Sequence, residues 1–152
     1  MARIPSTPKQ SRRAVPALPG DLAAAYAGAK VSITVKGIAQ DALDLAKGLP
    51  QPVTVITACN PYSRPRRAWR NRLANAYLRI VLWRQLRKHG GQLFRSLGSD
   101  IEDPPIWCEP GYALAGLDVE LVAAIGKRFR QHAIFVVQPE GLEVRVCAPE
   151  AN

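Results

Sequence analysis

The sequence predicts a single α/β or α+β domain, a mixed sheet of five or six strands packed against two main helices. Three observations carry this. Short β-branched runs alternate with helical periods along the chain. Two of the helical stretches are long enough to cover a sheet. A chain of 152 residues also suffices for one core without a metal or disulfide staple. The composition, 47% apolar and 22% charged, is that of a globular domain rather than a disordered or fibrous chain. No apolar run approaches the ~18 residues that a membrane-spanning helix requires.

The first 20 residues carry Arg3, Lys9, Arg12 and Arg13 but no acid and no apolar secretory core, and Pro5, Pro8, Pro16 and Pro19 interrupt any transit helix. They read as a flexible basic tail, with the domain spanning residues 21–148. Asp21 is placed to cap a short helix through Tyr26 that ends at Gly28. Val31, Ile33 and Val35 alternate with polar residues, the period of a strand with one wet face, and Gly37 stops it. Asp41 to Lys47 makes two helical turns, closed by Gly48 and Pro50.

Val53 to Thr57 is β-branched throughout, the mark of an interior strand covered on both faces. It ends at Asn60-Pro61, and Ser63 is a candidate cap in the next turn. A long helix fits Arg67 to Lys88. Trp69, Leu73, Tyr77 and Ile80 form one apolar stripe and Leu78, Leu82 and Leu86 a second, together the wide arc of a helix laid on a sheet. Gly90 and Gly91 close it.

Leu93, Phe94 and Leu97 suggest a short strand, and the helical crossover before it favours a parallel partner for the Val53 strand. Ile106 to Leu114 reads as a strand interrupted or bulged near Pro110-Gly111. Asp118 caps a helix with Leu121, Val122, Ile125 and Phe129 on its apolar face. Ala133 to Val137 and Leu142 to Cys147 are two strands joined by a turn at Pro139-Glu140-Gly141.

Charge is unevenly placed. The net charge is +9, and Arg64 to Arg95 holds ten basic residues and no acid. Such a field attracts phosphate-bearing partners, and it also raises solubility with no partner at all. Arg66, Arg67 and Arg70 stand at the start of the long helix, where each opposes the helix dipole by ~0.3–1 kcal/mol. A bound anion offsets that cost.

Cys59, Cys108 and Cys147 form no metal-ligand spacing with His89 or His132. Free thiols in a reducing, cytoplasmic setting are the simplest account. No glycine-rich phosphate loop, paired-carboxylate metal site or Ser-His-Asp set is present, so neither a cofactor nor a metal is expected.

The polar residues converge on one place. Ligands collect where strands end and helices begin, because unpaired N–H groups meet there. Asn60 and Ser63 lie in that turn. Asn71 and Asn75 share one face of the following helix, either to fasten the turn or to bind a ligand. Glu109 stands in an apolar strand. It either pairs with an arginine or lines a pocket where burial raises its pKa toward the range useful for acid–base chemistry. Gln131 lies at the last helix–strand junction.

The order Ile56-Thr57-Ala58-Cys59-Asn60-Pro61-Tyr62-Ser63, then Asn71 and Asn75, Gly98, Trp107-Cys108-Glu109 and Phe129 to Ala133 resembles a bacterial family, domain of unknown function 3293. The likeness spans roughly Asp21 to Val137. It reinforces the element boundaries and implies no activity, substrate or cofactor. This chain departs from the family's pattern at Cys59, where an aromatic residue is common, and at Gly111, where a serine two residues after the Glu is frequent.

The leading expectation is a phosphorylated or otherwise anionic small ligand, a nucleotide among the candidates, bound at the Asn60–Ser63 turn. Asn60, Ser63, Asn71, Asn75, Glu109 and Gln131 would wall it, with Arg67 and Arg70 facing its charge. Whether the protein is an enzyme stays open; Glu109 is the one candidate catalytic acid or base. The alternative is an RNA- or other nucleic-acid-binding module using Arg64, Arg66, Arg72, Arg79, Arg84, Arg87 and Lys88. A third reading has the arginines dock an acidic protein partner. No membrane partner is expected.

Overall fold

The computed structural model describes residues 26, 28–100, 105 and 107–147. The expected basic tail, and the expected helix from Asp21 apart from Tyr26, lie outside the described residues. Seven strands form one sheet: β1 (Lys30–Val35), β2 (Ile38–Asp41), β3 (Val53–Ile56), β4 (Gln92–Ser99), β5 (Cys108–Ala115), β6 (Ala133–Gln138) and β7 (Gly141–Val146). The helices are α1 (Ala42–Ala46), α2 (Ala68–His89) and α3 (Val119–Arg128), with a short 3-10 turn over Pro61–Ser63. The domain is α+β.

The sheet runs in the order β2-β1-β4-β5-β3-β6-β7, and every described pairing is antiparallel. This corrects the expected mixed sheet of five or six strands on two helices. The expected parallel partner for the Val53 strand is corrected with it. β4 does run parallel to β3, but β5 lies between them and hydrogen-bonds to both. The second helical crossover repeats the pattern, with β3 between β5 and β6. From β3 to β6 this is the split β-α-β arrangement of ferredoxin-like folds. The β1–β2 hairpin extends it on one side and β7 on the other.

Local chemistry explains the elements. Lys36 (φ 50°) and Gly37 (φ 81°) make a two-residue turn with both φ positive, which suits the twist of a hairpin. The short β2 therefore follows where the sequence suggested a stop. Asp41 caps α1, accepting from the Leu43 N–H at 2.9 Å. Asp118 caps α3, accepting from the Leu121 N–H at 3.1 Å. Helix α2 begins at Ala68, and Arg67 at its N-cap position makes no side-chain cap, so Ser63 does not serve that role.

β5 has no bulge. Its register with β4 is continuous from Cys108 to Ala115. Pro110 is tolerated because the β3 ladder reaches only Tyr112. A strand residue's N–H and C=O point to the same side. The Pro110 carbonyl faces the gap beyond β3, where Thr57 Oγ1 donates to it at 2.7 Å, so its missing donor falls where no ladder partner waits.

The core has two layers. On one face of the sheet Ile56, Leu114 and Ile134 pack against Leu78, Leu82 and Leu86 of α2 and Val122 and Ile125 of α3. On the other, Val53, Val55, Ala113, Val31 and Ile33 pack with Ala42 and Ala46 of α1. Only the second of the two expected α2 stripes is buried. Trp69, Leu73, Tyr77 and Ile80 remain 47, 62, 47 and 50% exposed, because α2 turns the other side to the sheet. No described helix is long and apolar enough to cross a membrane.

Candidate functional site

β3 ends in Thr57-Ala58-Cys59, and the chain then turns sharply. Asn60 (φ 46°), Tyr62 (φ 51°) and Ser63 (φ 59°) all occupy the left-handed region. That conformation costs a non-glycine residue about 1–2 kcal/mol and persists only where neighbours hold it. Asparagine tolerates it best, and Asn60 sits at its head.

The holding bonds come from three elements. From α2, Asn71 Oδ1 accepts the Asn60 N–H at 3.0 Å and Asn71 Nδ2 donates to Asn60 Oδ1 at 2.9 Å. One turn on, Asn75 Oδ1 accepts the Ala58 N–H and its Nδ2 donates to the Pro110 carbonyl, each at 2.9 Å. From the end of α3, Gln131 Nε2 donates to the Cys59 carbonyl at 3.1 Å. From β5, Glu109 Oε1 accepts from Asn60 Nδ2 at 2.8 Å. Asn60 Oδ1 also accepts the Arg66 N–H at 3.0 Å, which sets the approach to α2.

Alternation along β5 places Glu109 and Gly111 on the face opposite α2, and Pro110 and Tyr112 on the helix face. Asn60 reaches both because it sits beyond the end of β3. The network therefore passes from one face of the sheet to the other through a single side chain.

On the Glu109 face lies a cavity of about 50 Å³, bordered by Asn60, Ser63, Ser96, Trp107, Glu109 and Gln131 among a mainly apolar wall that includes Tyr26, Val55 and Phe135. A water needs ~10–15 Å³, so the space is that of a few waters. Small residues open it: Ser96, Gly98 and Gly111 meet here, and a Cβ on Gly111 would run into the Ile56 carbonyl. No described lining residue is Arg or Lys. Burial pushes the Glu109 carboxyl up to about 7, offset in part by the Asn60 hydrogen bond. Ser96 Oγ and Trp107 Nε1 are buried here with no hydrogen-bond partner.

On the α2 face lies a groove of about 1030 Å³. It exists because β4 and β5, with β1 paired along the outer half of β4, continue past the end of β3 as a shelf, while the flank of α2 above it carries small residues at Ala68 and Ala76. Arg66, Arg72 and Arg79 edge it from the helix side and Arg95 from β4; Asn71, Asn75, Trp83 and Tyr112 complete the wall. No Asp or Glu is among its described lining residues. Its two thiols are poor nucleophiles: burial pushes Cys59 up to about 11 and raises Cys108 as well.

The expected site residues thus separate. Asn60, Ser63, Glu109 and Gln131 meet at the cavity; Asn71 and Asn75 line the groove while fastening the turn. Arg67 and Arg70 border neither space, both are exposed, and the Arg70 guanidinium lies 5.3 Å from the Trp69 ring. Arg66, Arg72 and Arg79 line the groove, whereas Arg64, Arg84, Arg87 and Lys88 are exposed outside it. Arg95, Trp83, Ser96, Trp107 and Thr57 are site residues that sequence reasoning misses. The two-residue alternation of β4, which sends Arg95 to one face and Ser96 to the other, is the signal that locates two of them. Among the described residues no group of three or more His, Cys, Asp or Glu could hold a metal.

A family model described as protein of unknown function (DUF3293) matches residues 56–134, just over half the chain. The chain belongs to DUF3293. No curated protein and no solved structure gives a match. The DUF3293 span runs from the last residue of β3 into β6 and contains every member of the Asn60 network. The β1–β2 hairpin, α1 and β7 fall outside it, so the family's shared segment holds the turn and every described groove-lining residue, whereas Tyr26, Val31, Val55 and Phe135 of the cavity wall lie beyond it.

Proposed function

We propose that the protein binds a small anionic ligand bearing one or more phosphate groups, of the nucleotide class, in the groove between α2 and the β4–β5 shelf. The observation that carries this is the lining: four arginines, two buried amides and, among the described lining residues, no carboxylate around a space large enough for a nucleotide-sized molecule. Arginine's planar fork suits bidentate contact with phosphate. Trp83 and Tyr112 offer ring faces for a base. The cavity on the other face suits an anion poorly, since its one ionisable acid is Glu109 and no described cation borders it. Glu109 therefore acts through Asn60 on the shape of the turn, and the activity proposed is binding rather than catalysis.

The test is equilibrium titration with a nucleoside diphosphate at low salt. Loss of both Arg79 and Arg95 (R79A with R95A) should weaken binding at least tenfold, since charge-assisted hydrogen bonds contribute about 1.5–3 kcal/mol each. Arg67→Ala should leave it nearly unchanged. Equal affinity in the double variant would overturn the reading. A second reading, single-stranded RNA, is favoured by the half-exposed Trp83 at the groove's rim beside the exposed arginines, an arrangement suited to stacking bases while tracking phosphates.

A further inference from the structure

The outward face of α2 extends well beyond the groove, which only its Ile80 and Trp83 border. Trp69, Leu73, Tyr77, Ile80 and Trp83 recur at four- and three-residue steps, and each is 46–62% exposed. At 1.5 Å per residue the stripe runs about 21 Å. Apolar side chains of this size seldom stand together on a solvated helix face without a partner. The 22 residues of α2 contain no Asp or Glu, and Arg70, Arg84 and Arg87 flank the stripe, all exposed.

Charge and chemistry select the occupant. A second copy would set one arginine-rich helix against another, a like-charge contact that costs association. The chain's own first 20 residues carry four basic groups and no acid, so they are repelled in the same way. Nucleic acid gains from the aromatics and arginines, but Leu73 and Ile80, the two most exposed of the five, offer a base or phosphate nothing. An acidic amphipathic helix satisfies both parts. Its apolar residues cover the stripe and its carboxylates meet the flanking guanidinium groups.

We infer that the outward face of α2 is a docking surface for an acidic amphipathic helix of a protein partner. This surface is separate from the ligand reading, although Ile80 and Trp83 also touch the groove. Leu73 does not, so it isolates the surface; Tyr77 also lies outside the groove, but its hydroxyl accepts from Arg128 Nη2 at 2.8 Å and its ring lies 5.5 Å from that of Phe129.

The probe is a designed 18-residue peptide with leucines at helical spacing and glutamates elsewhere, titrated into the full chain and followed by fluorescence anisotropy. Saturable binding is expected, weakened roughly tenfold or more by Leu73→Glu and unaffected by Arg95→Ala. Leu73→Glu should retain wild-type nucleoside diphosphate binding, which shows that the fold and the groove survive. Equal binding of a scrambled peptide with no apolar face would overturn the inference. So would displacement of the peptide by oligouridylate, or a wild-type dimer that Leu73→Glu converts to monomer.

Discussion

Asn60 carries more of the structure than any other single side chain in the turn. Its amide joins Glu109 on one face of the sheet to Asn71 on the other, and its backbone adopts a conformation few residues accept. Asn75 has the complementary task of holding main-chain groups that have no ladder partner. Removing it in Asn75→Ala leaves the Ala58 N–H and part of the Pro110 carbonyl's bonding unmet in a buried place. Each unmet group costs ~1–3 kcal/mol, so urea denaturation should show a loss of about 2–4 kcal/mol, with Asn75→Asp recovering only part. Glu109 gives a pH signature. Its carboxyl titrates near 7 in the folded protein against an ordinary value of 4.5. Between those values the folded state holds a proton that the unfolded chain has released, so stability is highest below about pH 4.5 and falls as pH rises to about 7. The total is of order 3 kcal/mol. Glu109→Gln should remove that fall and raise the melting temperature at pH 8. His132 acts with the opposite sign, since burial lowers its pKa, and the difference between wild type and variant cancels its contribution. A parallel pH dependence in both proteins would contradict the assignment.

Among elements, α2 separates what periodicity tells from what burial decides. Two apolar stripes at helical spacing lie on the same 22 residues, and the sequence contains no mark of which one meets the sheet. The structure buries Leu78, Leu82 and Leu86 with the two asparagines and leaves the tryptophans out. Leu82→Ala should therefore cost about 3–5 kcal/mol, the range for truncating a fully buried leucine. Leu73→Ala should fall within about 0.5 kcal/mol of wild type by thermal denaturation. Comparable losses at the two positions would mean that both stripes are packed. Elsewhere local chemistry sufficed. The all-β-branched Val53 strand, the cap at Asp118 and the Pro139–Glu140 turn sit where turn and capping residues put them. β2 was illegible because all four of its residues are exposed and its pairing comes from the hairpin turn, not from an apolar pattern. β4 ends at Ser99, one residue past the glycine expected to close it, with its outer half paired to β1 on one edge and β5 on the other.

At the scale of the whole molecule, the strand order could not be read from the crossover rule, because the strand that fills the gap beside β3 arrives later in the chain. That inserted strand is β5, which brings Glu109 and Pro110 against the Asn60 turn. The convergence of Asn60, Ser63, Glu109 and Gln131 was legible because all four lie at or near element ends, where chains meet. Which arginines edge the groove was not. The sequence drew attention to Arg67 and Arg70 at the helix start, whereas the groove is edged by Arg66, Arg72, Arg79 and Arg95. Their selection depends on how α2 is rotated about its axis and on how far β4 and β5 project beyond β3. The positive field thus has a concave part beside the turn and a convex part along the outer helix face, and we propose a different partner for each.

Salt dependence tests the central claim most directly. Affinity for a nucleoside diphosphate and for a ten-nucleotide oligouridylate would be measured between about 50 and 200 mM salt. A small ligand held by two phosphates in the groove should lose only severalfold over that range, whereas a strand contacting six or more phosphates loses roughly a hundredfold or more. The diphosphate should show the modest loss and be displaced by inorganic pyrophosphate. No diphosphate binding at the low-salt end, or binding that pyrophosphate leaves untouched, would contradict it.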